Sequence, residues 1–357
     1  MKLKTRNIFL GLVLIASFGC DKEPDKPDFD REAMLSNLAS NVIKPSIAET
    51  ASSISDLESA TQIFVANPTQ ANLDDLQDDF IFAYKKFQHV KPLNFGAFED
   101  YGIVGALNTY PTDTSKIKSN ITSGSYNLGS VENIQAIGFP ALDYLLFHSN
   151  DAQIITDFTT DTESTNRKTL LSETVTKMKT EIELAQTQWD SDDTGFISAD
   201  GNDVGGSTSI LFNAFVMDIE LLKNAKIGIP AGNQTGGTTL PHYVEAYYSQ
   251  SSIDLAKESV AGLKNIFTGG TGIGFEEYIR DVEGEVETSL ADQIISKFDQ
   301  CTTSLNQIGT PLSNKVDSDN ATVQLAYNEI KSLVTLIKTD MSSALGLLIT
   351  FQDNDGD

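Results

Sequence analysis

The sequence is poor in the residues that carry thiol, imidazole and indole chemistry. Its 357 residues hold two cysteines, three histidines and one tryptophan. The cysteines are Cys20 and Cys301. Cys20 lies at the end of an apparent leader, so one thiol remains and no internal disulfide can form. Stability must then come from a hydrophobic core. Cys301 follows Ile294, Ile295 and Phe298 at helical spacing, which reads as a buried, inert thiol. Basic residues are scarce as well, 25 against 50 acids, for a formal charge of -25. Such a surface repels nucleic acid and anionic membrane faces; it suits solubility outside the cell and leaves cations or basic peptides open as partners. Beyond the leader no apolar run is long enough to cross a bilayer. Sustained period-two alternation is missing, which argues against sheets. So are an H-E-x-x-H pair, a phosphate loop and a nucleophile elbow.

What is present begins with a targeting segment. Lys2, Lys4 and Arg6 precede an apolar stretch from Ile8 to Phe18, too short for a stable span. Ser17-Phe18-Gly19-Cys20 resembles a bacterial lipobox. The expectation is a signal peptide over 1–19, lipid on Cys20, and a charged, Pro-bearing tether over 20–30 that cannot build a core. A tether of this composition resembles the export signal of some surface lipoproteins, or is a plain spacer.

Helical periodicity dominates the remainder. A long helix from about Arg31 to Val65 is expected, interrupted or kinked at Pro45, then a second carrying Leu73, Leu76, Phe80, Tyr84 and Phe87. Another runs from Leu170 to Trp189. The Asp- and Gly-rich stretch that follows is the best boundary. The reading is all-α, with domains at 31–190 and 208–352, a linker at 191–207 and a tail at 353–357. In the second half, helices are expected over Ser209–Asn224, His242–Phe267 and Leu290–Leu305, and a regular last one from Val323 to Leu348. Ser209, Asn213, Glu220 and Asn224 share one narrow stripe of an otherwise apolar helix. That stripe faces either solvent or an internal cleft.

The chain is organised around Gly138-Phe139-Pro140-Ala141-Leu142-Asp143-Tyr144-Leu145-Leu146-Phe147. Pro140 suits a first helical turn. The helix is apolar on every side and so reads as buried. Asp143 is its one carboxylate, and a buried carboxylate needs a partner, a donor or a metal. It either binds backbone donors at its own helix start or belongs to a site.

This stretch resembles the signature of the imelysin-like family, usually G-x-H-x-x-E. Here Pro140 stands in the place of the His and Asp143 in that of the Glu. The likeness continues through Leu107–Asp113, Asp218–Lys223, Lys226–Pro230, Val244–Ser249, Ile266–Gly270 and Lys338–Gly346. The resemblance implies two packed helical-bundle domains with the signature near their interface. The family is labelled a metallopeptidase family, and some relatives belong to iron-uptake systems.

A zinc peptidase needs about three protein ligands and a base. His89, His148 and His242 read rather as cap or surface residues. The favoured reading is therefore a lipid-anchored outer-membrane protein, on the periplasmic side or the cell surface. It would bind iron, haem or another nutrient, in company with an uptake receptor. An imelysin-type metallopeptidase using Asp143 is the alternative. The expected ligand-binding residues are Tyr110, Asp113, Asp143, Asn213, Glu220, Glu245 and Tyr248. Oxygen donors of this kind suit iron or another hard cation, with Asp143 and Glu220 the best candidates. Asp113 alternatively caps a helix.

Overall fold

The computed structural model describes residues 28–351, the side chain of Asp192 excepted. The leader, Cys20, residues 20–27 of the tether and the tail 353–357 lie outside the described residues. Within them every regular element is helical, which bears out the all-α reading. None of these helices is long and apolar enough to cross a membrane.

The first long helix is built as Arg31–Leu38, a π-helical turn Ala39–Ile43, and Lys44–Ala66. Pro45 sits in the first turn of the renewed α-helix. The wider π turn accommodates the residue that can donate no N–H to the α ladder. Side-chain caps start several of the helices. Asp30 accepts from Ala33 N–H, Thr69 from Asn72 N–H and Asn150 from Gln153 N–H, each satisfying an orphan donor.

Lys44–Ala66, Gln70–Val90 and Ser164–Ser198 pack together in the first half. Ser252–Thr268, Leu290–Ile308 and Asn320–Thr335 pack together in the second. The halves meet where Gln70–Val90 lies on Ser252–Thr268. Gly262 makes that approach feasible: a Cβ there would stand 3.0 Å from His89 Cα. One continuous apolar core runs from Met34 to Leu347. Cys301 lies in it, fully buried, with its thiol pushed up to about 12 by that burial.

Three helix boundaries differ from expectation. Ser164–Ser198 does not stop at Trp189, so the linker expected at 191–207 is helical as far as Ser198. Trp189 and Phe196 pack against each other at 5.2 Å and against Phe95 at 5.8 and 5.9 Å. This aromatic anchor overrides the turn-forming composition. The last helix widens into a π turn at Leu336–Met341 and ends at Leu345. The helix expected from His242 begins only at Ser252. Before it, Pro241–Tyr243 is one 3₁₀ turn, and Ala246 and Gln250 adopt φ of 51° and 61°. Non-glycine residues take such values reluctantly, and where they do the surroundings hold them there.

Candidate functional site

The helix Gly138–Phe147 is buried at every position from Gly138 to Leu146. Its start is pressed against the backbone of the Ile103–Asn108 helix. Gly138 has φ of 70°, and a Cβ on it would fall 2.3 Å from the Leu107 carbonyl oxygen. Phe139 then stacks on Tyr84 at 4.4 Å, with ring planes 5° apart. The signature glycine thus sets the depth of this helix and the place of Asn108 beside it.

Asp143 is 2% exposed. Neither expectation for it was complete. It does accept backbone donors, but from a segment more than a hundred residues away and not from its own helix. Tyr248 N–H donates to Oδ2 at 2.8 Å, and Ser249 N–H donates to Oδ1 at 2.9 Å. Burial lifts its pKa to about 6, and the two N–H donors hold it from rising further. Asp143 thereby fastens the irregular 244–251 segment to the central helix.

A cleft of about 230 Å³ opens where these elements meet. Tyr110, Thr112, Pro140, Asp143, His242, Tyr247 and Tyr248 line it. The His242 ring packs 4.8 Å from Tyr247, which meets Tyr248 edge-on at 5.1 Å. Burial raises the Tyr248 phenol to about 12 and Tyr110 well above its ordinary value. Both hydroxyls are therefore protonated donors at neutral pH. His242, read from sequence as a cap or surface residue, presents an imidazole to the same cleft that Pro140 deprives of one.

Beneath lies a buried polar network. Lys226 donates to Glu245 in a close ion pair, and to Gln88 Oε1 at 2.8 Å. Asn108 Nδ2 donates to Glu245 Oε1 at 2.7 Å, while Tyr84 donates its hydroxyl to Asn108 Oδ1 at 2.5 Å. Burial pushes the Lys226 amine down to about 8, against the pull of Glu245. Burial alone would raise Glu245, but Lys226 and Lys91 outweigh it and hold the carboxyl below its usual range. A second buried pair, Lys91 with Asp218 at 3.1 Å, stands alongside. The Lys91–Asp218 pair, and the bonds of Gln88 and Asn108 to the Lys226–Glu245 pair, tie the first half of the chain to the second.

The structure thus brings Tyr110, Asp143 and Tyr248 to one cleft, with Glu245 under it. It separates the other expected residues. Asp113 caps the Thr114–Ser123 helix, accepting from Lys116 N–H at 2.9 Å. Asn213 holds the C-terminal strap: it donates to the Leu348 carbonyl at 2.9 Å and accepts from Thr350 N–H at 2.8 Å. Glu220 lines a different cavity, paired with Lys223 at 2.7 Å. The stripe from Ser209 to Asn224 therefore serves several local tasks and no single cleft.

Lys226, Asn108 and Gln88 were not picked out from the sequence. A lysine before Ile227-Gly228-Ile229 was the available signal, since a charge in apolar surroundings asks for a partner.

The metal pairing expected of Asp143 and Glu220 does not form, because the two line separate cavities. Among the described residues no group of three His, Cys, Asp or Glu side chains is placed to hold an ion. His89 faces Glu258 and His148 faces Asp157, each at 3.0 Å. The donor set of a resident metal is not assembled among the described residues.

Comparison with known proteins accords with this architecture. The fold is that of a putative iron-regulated protein A precursor from Parabacteroides distasonis. That match has a TM-score of 0.75 at 16% identity and covers 91% of this chain and 97% of the other. An imelysin-like protein from Psychrobacter arcticum superposes with a TM-score of 0.73 at 17% identity, covering 90% and 97%. Iron-regulated protein A of Synechococcus elongatus is 26% identical over 117 residues, 33% of this chain and 32% of that relative. The match thus spans about a third of that relative's length. The family model described as Imelysin, and named for a peptidase, matches residues 43–339. By fold and by that match over most of its length, the chain belongs to the imelysin family.

Proposed function

We propose that the protein is a ligand-binding component of a nutrient-uptake system in the bacterial envelope. It is held to the outer membrane by lipid on Cys20 and uses the Asp143 cleft as its binding site. The observation that carries this reading is the use of Asp143. Both of its oxygens are engaged by backbone N–H groups from the opposite wall. A carboxylate so occupied shapes a cleft rather than activating a water. The walls supply what recognition needs: tyrosine hydroxyls, ring faces and an imidazole.

Iron is the favoured nutrient, since two of the similar proteins are named as iron-regulated. With no ligand set gathered for a bare ion, it would arrive as a chelate whose organic part meets the tyrosines. An outer-membrane receptor is the natural partner.

The test is titration of the protein from Asp21 onward with haem, a ferric hydroxamate and a ferric catecholate, beside Tyr248→Ala and Asp143→Asn. The reading expects saturable binding of at least one, weakened about tenfold or more in both variants. Hydrolysis of a peptide pool by the wild type, abolished in Asp143→Asn, would give the cleft to a peptidase instead. Binding unchanged in both variants would remove the cleft from the function.

A further inference from the structure

A cavity of about 280 Å³ lies in the first half of the chain and shares no lining residue with the Asp143 cleft. Four rings line it: Phe95, Tyr101, Trp189 and Phe196. Trp189 and Phe196 stand about two turns apart and so share one face of the Ser164–Ser198 helix. Phe95 precedes the short Ala97–Asp100 helix, and Tyr101 follows it. Phe95 and Phe196 lie nearly parallel, with 17° between their planes at 5.9 Å. Trp189 stands edge-on to both, at 76° and 64°. The rings thus meet at a corner and leave a space beside it. Tyr101 is 51% exposed, a large ring left at the rim.

The charge around this space has one sign. Asp100 supplies a carboxylate, Gln188 an amide, and no Lys, Arg or His among the described residues lines the cavity. Asp100 is exposed and forms no ion pair among the described residues. Farther along the long helix Asp190 and Asp193 hold Lys44, at 3.8 and 2.9 Å, so that cation is already paired. In a chain of formal charge -25 the field favours a positive ligand. The walls decide which kind. A metal ion or a primary ammonium is strongly hydrated and needs several oxygen partners to leave water. One carboxylate and one amide do not supply them. Ring faces instead attract a cation through their quadrupole, and one clothed in methyl groups suits them best.

From this placement we propose that the cavity binds the quaternary ammonium head of a free small cation. Its methyl groups meet Trp189, Phe196 and Tyr101, and Asp100 balances its charge. The volume stands at the lower end of the range for ligand pockets, which suits a molecule of this size. The same head carried on a phosphate, as in a lipid headgroup, is opposed by Asp100 and by the acidity of the chain. The site is independent of the Asp143 cleft and of any reading of it.

Two probes of one shape decide the matter. Choline carries a trimethylammonium head; its neutral carbon analogue carries a tert-butyl group in the same place. Both are titrated calorimetrically into the protein from Asp21 onward, with phosphocholine as a third probe. Choline should bind about tenfold or more tightly than the neutral alcohol, and more tightly than phosphocholine. Tyr101→Leu, at an exposed position, should weaken choline about fivefold, while Tyr101→Phe keeps the ring face and should stay within about twofold of wild type. Trp189 is left in place because it also anchors the helix. The proposal is overturned by absence of choline binding up to about 10 mM. It is equally overturned if the neutral alcohol binds as tightly, which would make the cavity merely apolar. Choline affinity unchanged in Tyr101→Leu would overturn it by placing the cation elsewhere. Phosphocholine bound more tightly than choline would overturn the free cation in favour of a lipid headgroup.

Discussion

Replacing Lys226 by methionine tests whether the buried network is held together by charge compensation. The Lys226 and Glu245 side chains are 2% and 1% exposed. The substitution keeps the stem roughly filled and deletes the ammonium. Glu245 would retain Asn108 at 2.7 Å and the more distant Gln88 at 3.4 Å. Gln88 Oε1 would lose its donor. Breaking a buried pair from one side typically costs about 3–5 kcal/mol, since a charge is left uncompensated. Lys91 also lowers the Glu245 carboxyl through its field, which places the expectation near the lower end, about 3 kcal/mol. At ~2 °C per kcal/mol for a chain of this size, the melting temperature falls by roughly 6 °C. The double variant Lys226→Met/Glu245→Gln removes the stranded charge while leaving an oxygen for Asn108, and should recover more than half of the loss. Thermal and urea unfolding followed by far-UV circular dichroism measure both. A single variant within about 1 kcal/mol of wild type would refute the reasoning. So would a double variant no more stable than the single.

Two further outcomes follow from the same geometry. Burial lifts the folded Asp143 carboxyl from 3.8 to about 6, so the native state takes up this proton before the unfolded chain does. The burden of the ionised group is therefore absent below pH 4 and complete above pH 6. The stability of Asp143→Asn relative to wild type should improve by about 3 kcal/mol between those limits. A gap independent of pH, measured by urea unfolding across the range, would contradict that. Gly138→Ala combines a left-handed backbone with the 2.3 Å approach to Leu107 and should destabilise by about 2–4 kcal/mol. Gly346→Ala, at φ of 65° with open space around it, should lose only about 1 kcal/mol; equal losses would show that the close approach is unimportant.

Much of the fold was legible because helix periodicity is a local property. Leu73, Leu76, Phe80, Tyr84 and Phe87 recur every three or four residues, and all lie buried on the Gln70–Val90 helix. Asp113 as a cap was equally readable, since the donor it satisfies is three residues on. The misplaced boundaries share a different cause. Trp189 and Phe196 keep a helix going through Asp and Gly because Phe95, distant in sequence, packs on them. The helix expected from His242 is given up because its N–H groups are used by Asp143.

The sequence by itself determined an acidic, all-helical chain, a buried central helix, and the presence in it of one carboxylate needing a partner. These follow from composition and from spacings shorter than a few turns. Only the tertiary structure decided what that carboxylate meets. Its partners are backbone N–H groups 105 and 106 residues away, and every non-proline residue carries one, so no residue type marks them. In the same way only the fold paired Lys226 with Glu245 and parted Glu220 from Asp143. The free energy of a buried charge depends on what lies within a few ångströms of it, and that neighbourhood is assembled from segments the linear order keeps apart.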